Sequence, residues 1–374
     1  MGLFSRSQKI ETVLLVDISD ARVMCATLRL DKEKPAVLAT AQKPIMQQSV
    51  FSGERYLHEM QRALTGSLAA LAPNHGAPPN RVIVTLSSLL CLSQVRSVSI
   101  PHAHRQTLDH AFFEHYTEEE ASRFTQAHPH GVLLDRKIMR VDMNGYSTTH
   151  FAGKKADTVR LDLYVSLVDK NVHAAVREVI AAATHQTNIE LHSYSFATWR
   201  ALDYWLGLKE YLLIDMGAEI TTLTAVIAEK LHASVSLPFG KNEFLRGLVK
   251  DLGTTPTVAA SLVRTFFEGR LSGAAKERMQ PTLSRLAQRW ATLSAHGVQK
   301  LSLERTPKAL LILADSDLGT FLEHELVTGT PTRVMPLRSS LLASYCTHEG
   351  RTTQENFFLL SVLFSATLKK HHLV

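Results

Sequence analysis

Asp17, Ser19, Asp20 and Arg22 stand together where an apolar run, VLLVDISDAR at residues 13–22, breaks off into a turn. A hydrophobic strand that delivers a carboxylate into a tight turn suits a phosphate or metal site. Phosphate-cradling turns favour glycine and hydroxyl residues, however, and here a second carboxylate follows the first. One constant shift lays this stretch over LLIDMGAEITTLTAV, residues 212–226, with Asp17 on Asp215 and Ser19 on Gly217. The competing role for both Asp residues is that of a strand-end turn cap.

Each copy reads as a buried strand ending in Asp, a tight turn, and a second strand that alternates apolar residues such as Val23 and Cys25, or Leu223 and Ala225. Third strands follow near residues 35–40 and 230–237. After the first unit, Leu57, Met60, Leu64, Leu68 and Leu71 recur at steps of three and four, which predicts an amphipathic helix facing a sheet. The breaker-rich PNHGAPPN at 73–80 ends it. Residues 81–195 carry their own strands (81–87, 94–100, around 137–143, 159–168 and 188–194) and helices (105–124 and 171–184), and read as an inserted small α/β unit. Within it, Glu118, Glu119 and Glu120 are expected on a solvated helix face. Most of 241–305 reads as helical, with Leu283, Leu286, Trp290 and Leu293 in register. ALLILADSD (309–317) is a further strand meeting a turn, and the apolar run around residues 357–368 predicts a core helix rather than a membrane anchor.

At 374 residues and 45% apolar content, the chain can bury several cores. Its net charge of +6 is dispersed, 41 basic against 35 acidic residues, so no nucleic-acid partner is expected. The densest basic spots are Arg136-Lys137, Lys154-Lys155 and the tail from Lys369 to His372, and they read first as solvated loops. Cys25, Cys91 and Cys346 lack metal spacing and a disulfide framework, which suits a reducing cytoplasm. The pairs His102/His104 and His128/His130 flank prolines without a third ligand at helical spacing, so no metal site is expected there. MGLFSRSQKIE lacks a signal-peptide core, and no run of about 18 apolar residues is present to span a bilayer.

The duplicated strand-Asp-turn-strand unit, Pro238-Phe239-Gly240 after the second copy, the helical excursion and the late strand-turn-helix follow an order that resembles the actin-like ATPases. The opening MGLFSRSQK and the inserted block make the chain similar to their FtsA/PilM branch. The resemblance implies an α/β, duplicated actin-like (RNase H-type) fold, with two halves around a cleft and an inserted small α/β subdomain. Its segments would be residues 1–80 (first subdomain), 81–195 (insertion), 196–240 (second half, first part), 241–305 (mainly helical) and 306–374, the last helix crossing back to the first half. In that family two Asp turns grip nucleotide phosphates with magnesium between them. Carried over by position, Asp17 and Asp215 would stand on the Mg side, Gly217, Ala218 and Thr221 would form the second phosphate turn, and Gly240 would follow it.

Departures from the family pattern decide what the resemblance implies about activity. Where the first turn normally has Gly and then Ser or Thr, this chain has Ser19 and Asp20. Asp20 beside a triphosphate is a like-charge contact of roughly 4 kcal/mol at about 4 Å in an intermediate dielectric, although a bridging cation would recover part of it. On the nucleoside side, Ala314 and Asp315 replace a paired-glycine turn, and Ser261 and Arg264 stand where a Glu and a Lys are usual. The resemblance therefore implies a degenerate ATP/Mg site on a cytoplasmic scaffold, peripheral at the inner face of a membrane. Such a scaffold would self-associate and hold the cytoplasmic tail of a membrane protein, as in type IV pilus assembly. The alternatives are an FtsA-like division protein that binds a tubulin-like polymer, and a small-molecule kinase of the same fold, which would need an intact first turn and a general base.

Overall fold

The structure, a computed structural model, describes residues 11–30, 33–72, 79–101, 108–148, 151, 153–305, 307–315, 318–319, 322–323, 333–349 and 352–370. Opening residues 1–10, the histidine pair at 102 and 104, most of the 73–80 breaker and the 371–374 tail lie outside them.

Two sheets repeat one topology. In the first half, β1 (Glu11–Ile18), β2 (Arg22–Leu30) and β3 (Pro35–Pro44) form an antiparallel meander. Helix α1 (Gly53–Leu71) then leads to β4 (Arg81–Leu86), which runs parallel to β1. Strands β5 (Cys91–Pro101), β6 (Gly131–Met143), β7 (Tyr146–Ser147) and β8 (Thr158–Asp169), with α2 (His110–Gln126), make a separate four-stranded sheet. The chain returns through α3 (Lys170–Thr184) to β9 (Ile189–Ser193), the parallel neighbour of β4. Helix α4 (Tyr194–Ala201) and a π-helical turn at Leu202–Leu206, stopped by left-handed Gly207, connect the halves.

The second half repeats the order with β10 (Tyr211–Met216), β11 (Thr221–Ile227) and β12 (Lys230–Leu237). Helices α5 (Lys241–Leu252), α6 (Pro256–Phe267) and α7 (Gly273–Lys300) follow, and then β13 (Ala309–Leu313) and β14 (Arg333–Pro336). The shift read from the sequence holds in register: Asp17 lies across from Met24, and Asp215 from Thr222, at matching ends of matching strands.

Strands β4 and β9 belong to the first sheet, so the four-stranded sheet draws its strands only from residues 91–169, a narrower stretch than 81–195. The reason is visible in β4, where Val82, Ile83 and Val84 are buried in succession, the mark of a central parallel strand covered on both faces. A second correction concerns Glu120. Glu118 is exposed, but Glu120 is buried and pairs with Arg96 at 2.5 Å.

Helix α8 (Ser339–Ala343) and the short β15 (Thr347–His348), parallel to β3, bring the chain back to the first sheet. The last helix, α9 (Asn356–Lys370), is apolar nearly all round and is buried, with Phe358, Leu359, Leu363 and Phe364 inaccessible. It shares one core with Val13 and Leu15 of the first sheet and Tyr211, Leu213 and Leu311 of the second. Each such side chain contributes on the order of 1.5–3 kcal/mol by burial. This helix is therefore the wedge that sets the two halves against each other. Among the described residues no helix is long and apolar enough to cross a membrane.

Candidate functional site: the cleft between the two Asp turns

Strand β1 carries Asp17 into the molecule rather than into solvent. Its Oδ1 accepts hydrogen bonds from Thr85 Oγ1 on β4 (2.6 Å) and Ser361 Oγ on α9 (2.8 Å). Burial pushes the Asp17 carboxyl up, and these two hydroxyls oppose it. The next turn closes on itself. Ser19 Oγ accepts from the backbone N–H of Ala21 (3.3 Å) and Arg22 (3.1 Å) and donates to the Arg22 carbonyl (3.0 Å). The Ser19 hydroxyl thus closes a local turn and occupies two backbone N–H groups of its own segment. Tyr56 clamps the turn by donating to the Ser19 carbonyl at 2.9 Å, and Arg22 is paired with Glu355.

Near the end of β10, the Asp215 carboxyl has no hydrogen-bond partner among the described residues. Its carboxyl is pushed well up, first by burial and then by the charges of Asp20 and Asp17. Beyond it, the Gly217 N–H closes the turn onto the Ile220 carbonyl at 3.0 Å. Asp20 reaches across into this second turn: its Oδ2 accepts from the Glu219 N–H at 2.7 Å, with the Ala218 and Ile220 amides also directed at the carboxylate.

Thr221 is turned away and buried, donating to the Phe239 carbonyl (2.6 Å) and accepting from Trp290 Nε1 (3.3 Å). Gly240 is a packing position, where an added Cβ would stand 2.4 Å from the Ala218 carbonyl oxygen. The first N–H groups of α5 are also spent on the turn, Lys241 N–H on the Gly217 carbonyl (3.0 Å) and Asn242 N–H on that of Ala218 (2.8 Å).

Between the two turns lies a cavity of about 30 Å³, lined by Asp17, Asp20, Asp215, Tyr194, Gly217 and Phe357. That is room for about one water molecule. Magnesium needs six oxygen ligands in near-octahedral geometry and keeps several of its waters, so a Mg-phosphate group does not fit this arrangement.

Where the resemblance would place a nucleoside the cleft is open, with a cavity of about 630 Å³ lined by Arg22, Lys241, Arg264, Ala314, Asp315 and Glu355 among others. Asp315 forms an ion pair with Lys241 at 2.9 Å. Burial favours its neutral form most strongly, but the charges of Lys241 and Arg22 outweigh burial and hold the carboxyl below its usual range. Asn356 Nδ2 donates to the Ala314 carbonyl at 2.7 Å. Ser261 is exposed on α6 and does not line this cavity.

Thr85, Ser361, Glu219, Lys241 and Glu355 complete the site, and sequence reasoning passes over all five. Two of them leave a trace: Ser361 interrupts an apolar run, and Lys241 follows Gly240 directly. Glu219 is held by Arg246 (2.9 Å) and Asn242 (2.7 Å), which fixes the second turn from outside.

No protein-family model matches the chain, and no curated protein does. Among solved structures, a chain of the PilM-PilN type IV pilus biogenesis complex is 15% identical, covering 95% of this chain and 98% of its own length at a TM-score of 0.64. The ethanolamine utilization protein EutJ from Carboxydothermus hydrogenoformans is 11% identical, with 94% and 88% covered, at a TM-score of 0.49. A Bacteroides thetaiotaomicron protein with an actin-like ATPase fold is 12% identical, with 92% and 99% covered, at 0.40. At these identities the likeness is one of fold. The chain has the actin-like ATPase fold, similar over nearly its whole length to a chain of the PilM-PilN complex.

Proposed function

We propose that this chain is an actin-fold adaptor that does not turn over ATP. In this reading it sits at the inner face of a membrane and holds the cytoplasmic tail of a membrane protein, as part of a type IV pilus type of assembly. The observation that carries the reading is the self-closed first turn: Ser19 Oγ takes the Ala21 and Arg22 N–H groups, and Asp17 is committed to Thr85 and Ser361. Transfer or hydrolysis of a phosphoryl group depends on positioned N–H groups and a metal, and here both are pre-empted. A likeness to a protein that assembles with PilN supports the adaptor part.

The tail has a candidate seat. An open groove of about 530 Å³ runs along the junction of the four-stranded sheet with the first half, lined by Leu89, Leu90, Leu92, Pro129 and Leu167 among others. Leu92 is 40% exposed there. A short amphipathic or extended segment of a single-span membrane protein fits such an apolar channel.

Two measurements test the proposal. Labelled ATP with magnesium should show neither turnover nor binding at millimolar concentration, whereas Ser19→Gly combined with Asp20→Ser should restore measurable binding. Robust turnover by the natural sequence would end the reading. A photo-crosslinker at Leu92 should capture an integral membrane protein from membranes, and Leu92→Asp should abolish co-purification. Recovery of soluble metabolic enzymes alone would count against the adaptor.

A further inference from the structure

The β1–β2 turn belongs to the first half and the β10–β11 turn to the second, yet one side chain bridges them. Asp20 is 8% exposed, and its Oδ2 accepts the Glu219 backbone N–H at 2.7 Å, with the flanking Ala218 and Ile220 amides also favouring the charged carboxylate. Among the described residues no basic side chain pairs with it. Successive N–H groups converging in a turn form a nest for an anion. Gly217 carries the imprint of this occupant: a Cβ there would stand 2.6 Å from Asp20 Oδ2 and 2.9 Å from Oδ1. The Gly217 backbone does not adopt a positive φ, so glycine is needed there for space and not for conformation.

We infer that Asp20 is an internal latch, an anionic plug supplied by one half that fills the oxyanion nest of the other and holds the cleft shut. The second carboxylate of VLLVDISDAR thus lies where a phosphate would because it takes the place of one. Charge-assisted bonds from several N–H groups to one carboxylate are stronger than neutral ones, and burial of the contact keeps water from competing. Burial works against the charged carboxyl, raising its pKa, and the amide bonds oppose that rise. The turn that carries Asp20 is itself pinned by Tyr56 and by the Arg22–Glu355 pair, so the plug cannot retract without moving the first half. Opening of the cleft and emptying of the nest are one event, a hinge transition between discrete states. This inference goes beyond the adaptor reading, because it concerns how the halves are held and not what the protein holds.

The test is the distance between two spin labels, one on each half, at Thr65→Cys on α1 and Ser261→Cys on α6. Both sites are exposed, and Cys91 is replaced by Ser because Cys25 and Cys346 are already buried. Asp20→Ala should lengthen and broaden the distance distribution, and should accelerate amide exchange at Glu219 about tenfold or more, as expected for a lost charge-assisted bond. Gly217→Ala, which leaves Asp20 intact but expels its oxygens, should open the cleft in the same way and serves if Asp20→Ala folds poorly. Millimolar inorganic phosphate should re-close the Asp20→Ala protein and leave the parent unchanged. An unchanged distribution in both variants would overturn the latch, and an opened variant that ignores phosphate would overturn the stand-in role. The distance between the labels does not read occupancy of the apolar groove, which the Cys91→Ser background alters at one lining position, so failure here leaves the adaptor reading standing.

Discussion

Ser361 Oγ, on the last helix, donates to Asp17 Oδ1, at the end of the first strand, at a distance of 2.8 Å. The bond ties the wedge helix to the first sheet at the cleft floor, where Thr85 Oγ1 also meets Ser361 at 3.0 Å. Replacing Ser361 by Ala leaves a buried carboxylate with one fewer donor and should cost about 1–3 kcal/mol in urea unfolding. Ser365→Ala should cost less, because its hydroxyl only returns to the Ser361 carbonyl within the helix.

Asp215 should act as a destabilising charge at neutral pH. A carboxyl whose folded-state pKa is raised binds protons more tightly folded than unfolded, so stability falls as pH climbs from the ordinary carboxylate range toward the raised value. Asp215→Asn should therefore stabilise the protein near pH 7, because the amide removes a charge that burial and the neighbouring carboxylates disfavour. The gain should shrink toward zero as the pH is lowered through that window. Chemical denaturation at several pH values provides the check.

His192 joins β9 to the four-stranded sheet through Asp135, with Nδ1 and Oδ1 2.7 Å apart, and lies against Phe196 and Phe364. Burial alone would discharge it, but hydrogen bonds and charges from Asp135 and Glu190 outweigh burial and lift its pKa from 6.5 to about 9. A raised histidine contributes stability that is fully present below pH 6.5 and is lost as pH rises through about 9. The stability difference between the natural sequence and His192→Gln should thus be largest in mild acid and should fade near pH 9. An NMR titration of the ring would locate the midpoint directly.

Gly240 and Gly53 should respond very differently to the same substitution. Nothing lies within 4 Å of a Cβ at Gly53, at the start of α1, so Gly53→Ala should stay within about 0.5 kcal/mol of the parent. At Gly240 the Cβ would strike backbone atoms of Ala218 and Glu219 at 2.4–2.7 Å, and these cannot rotate away. Gly240→Ala should cost about 1–3 kcal/mol or more, and melting temperatures would separate the two.

Much of the fold is legible in the sequence because it rests on short-range patterns. The two Asp-ended strands, the stripe from Met60 to Leu71 and the all-apolar helix near the end each follow from period and composition, and the register of Asp17 and Asp215 agrees with their alignment. The place of β4 and β9 was not legible, since strand pairing across an insertion leaves no local signal, and neither was the burial of Glu120, which depends on Arg96 from another strand.

The sequence by itself determined that a carboxylate stands where a phosphate turn wants a hydroxyl, and that Ser19 replaces glycine. Only the tertiary structure decided what those residues do. Asp20 takes its hydrogen bond from the Glu219 backbone N–H, 199 residues away along the chain. Backbone donors carry no side-chain identity, so nothing in the local sequence could announce that they would converge on Asp20. That convergence requires both sheets to be folded and set against each other by the last helix.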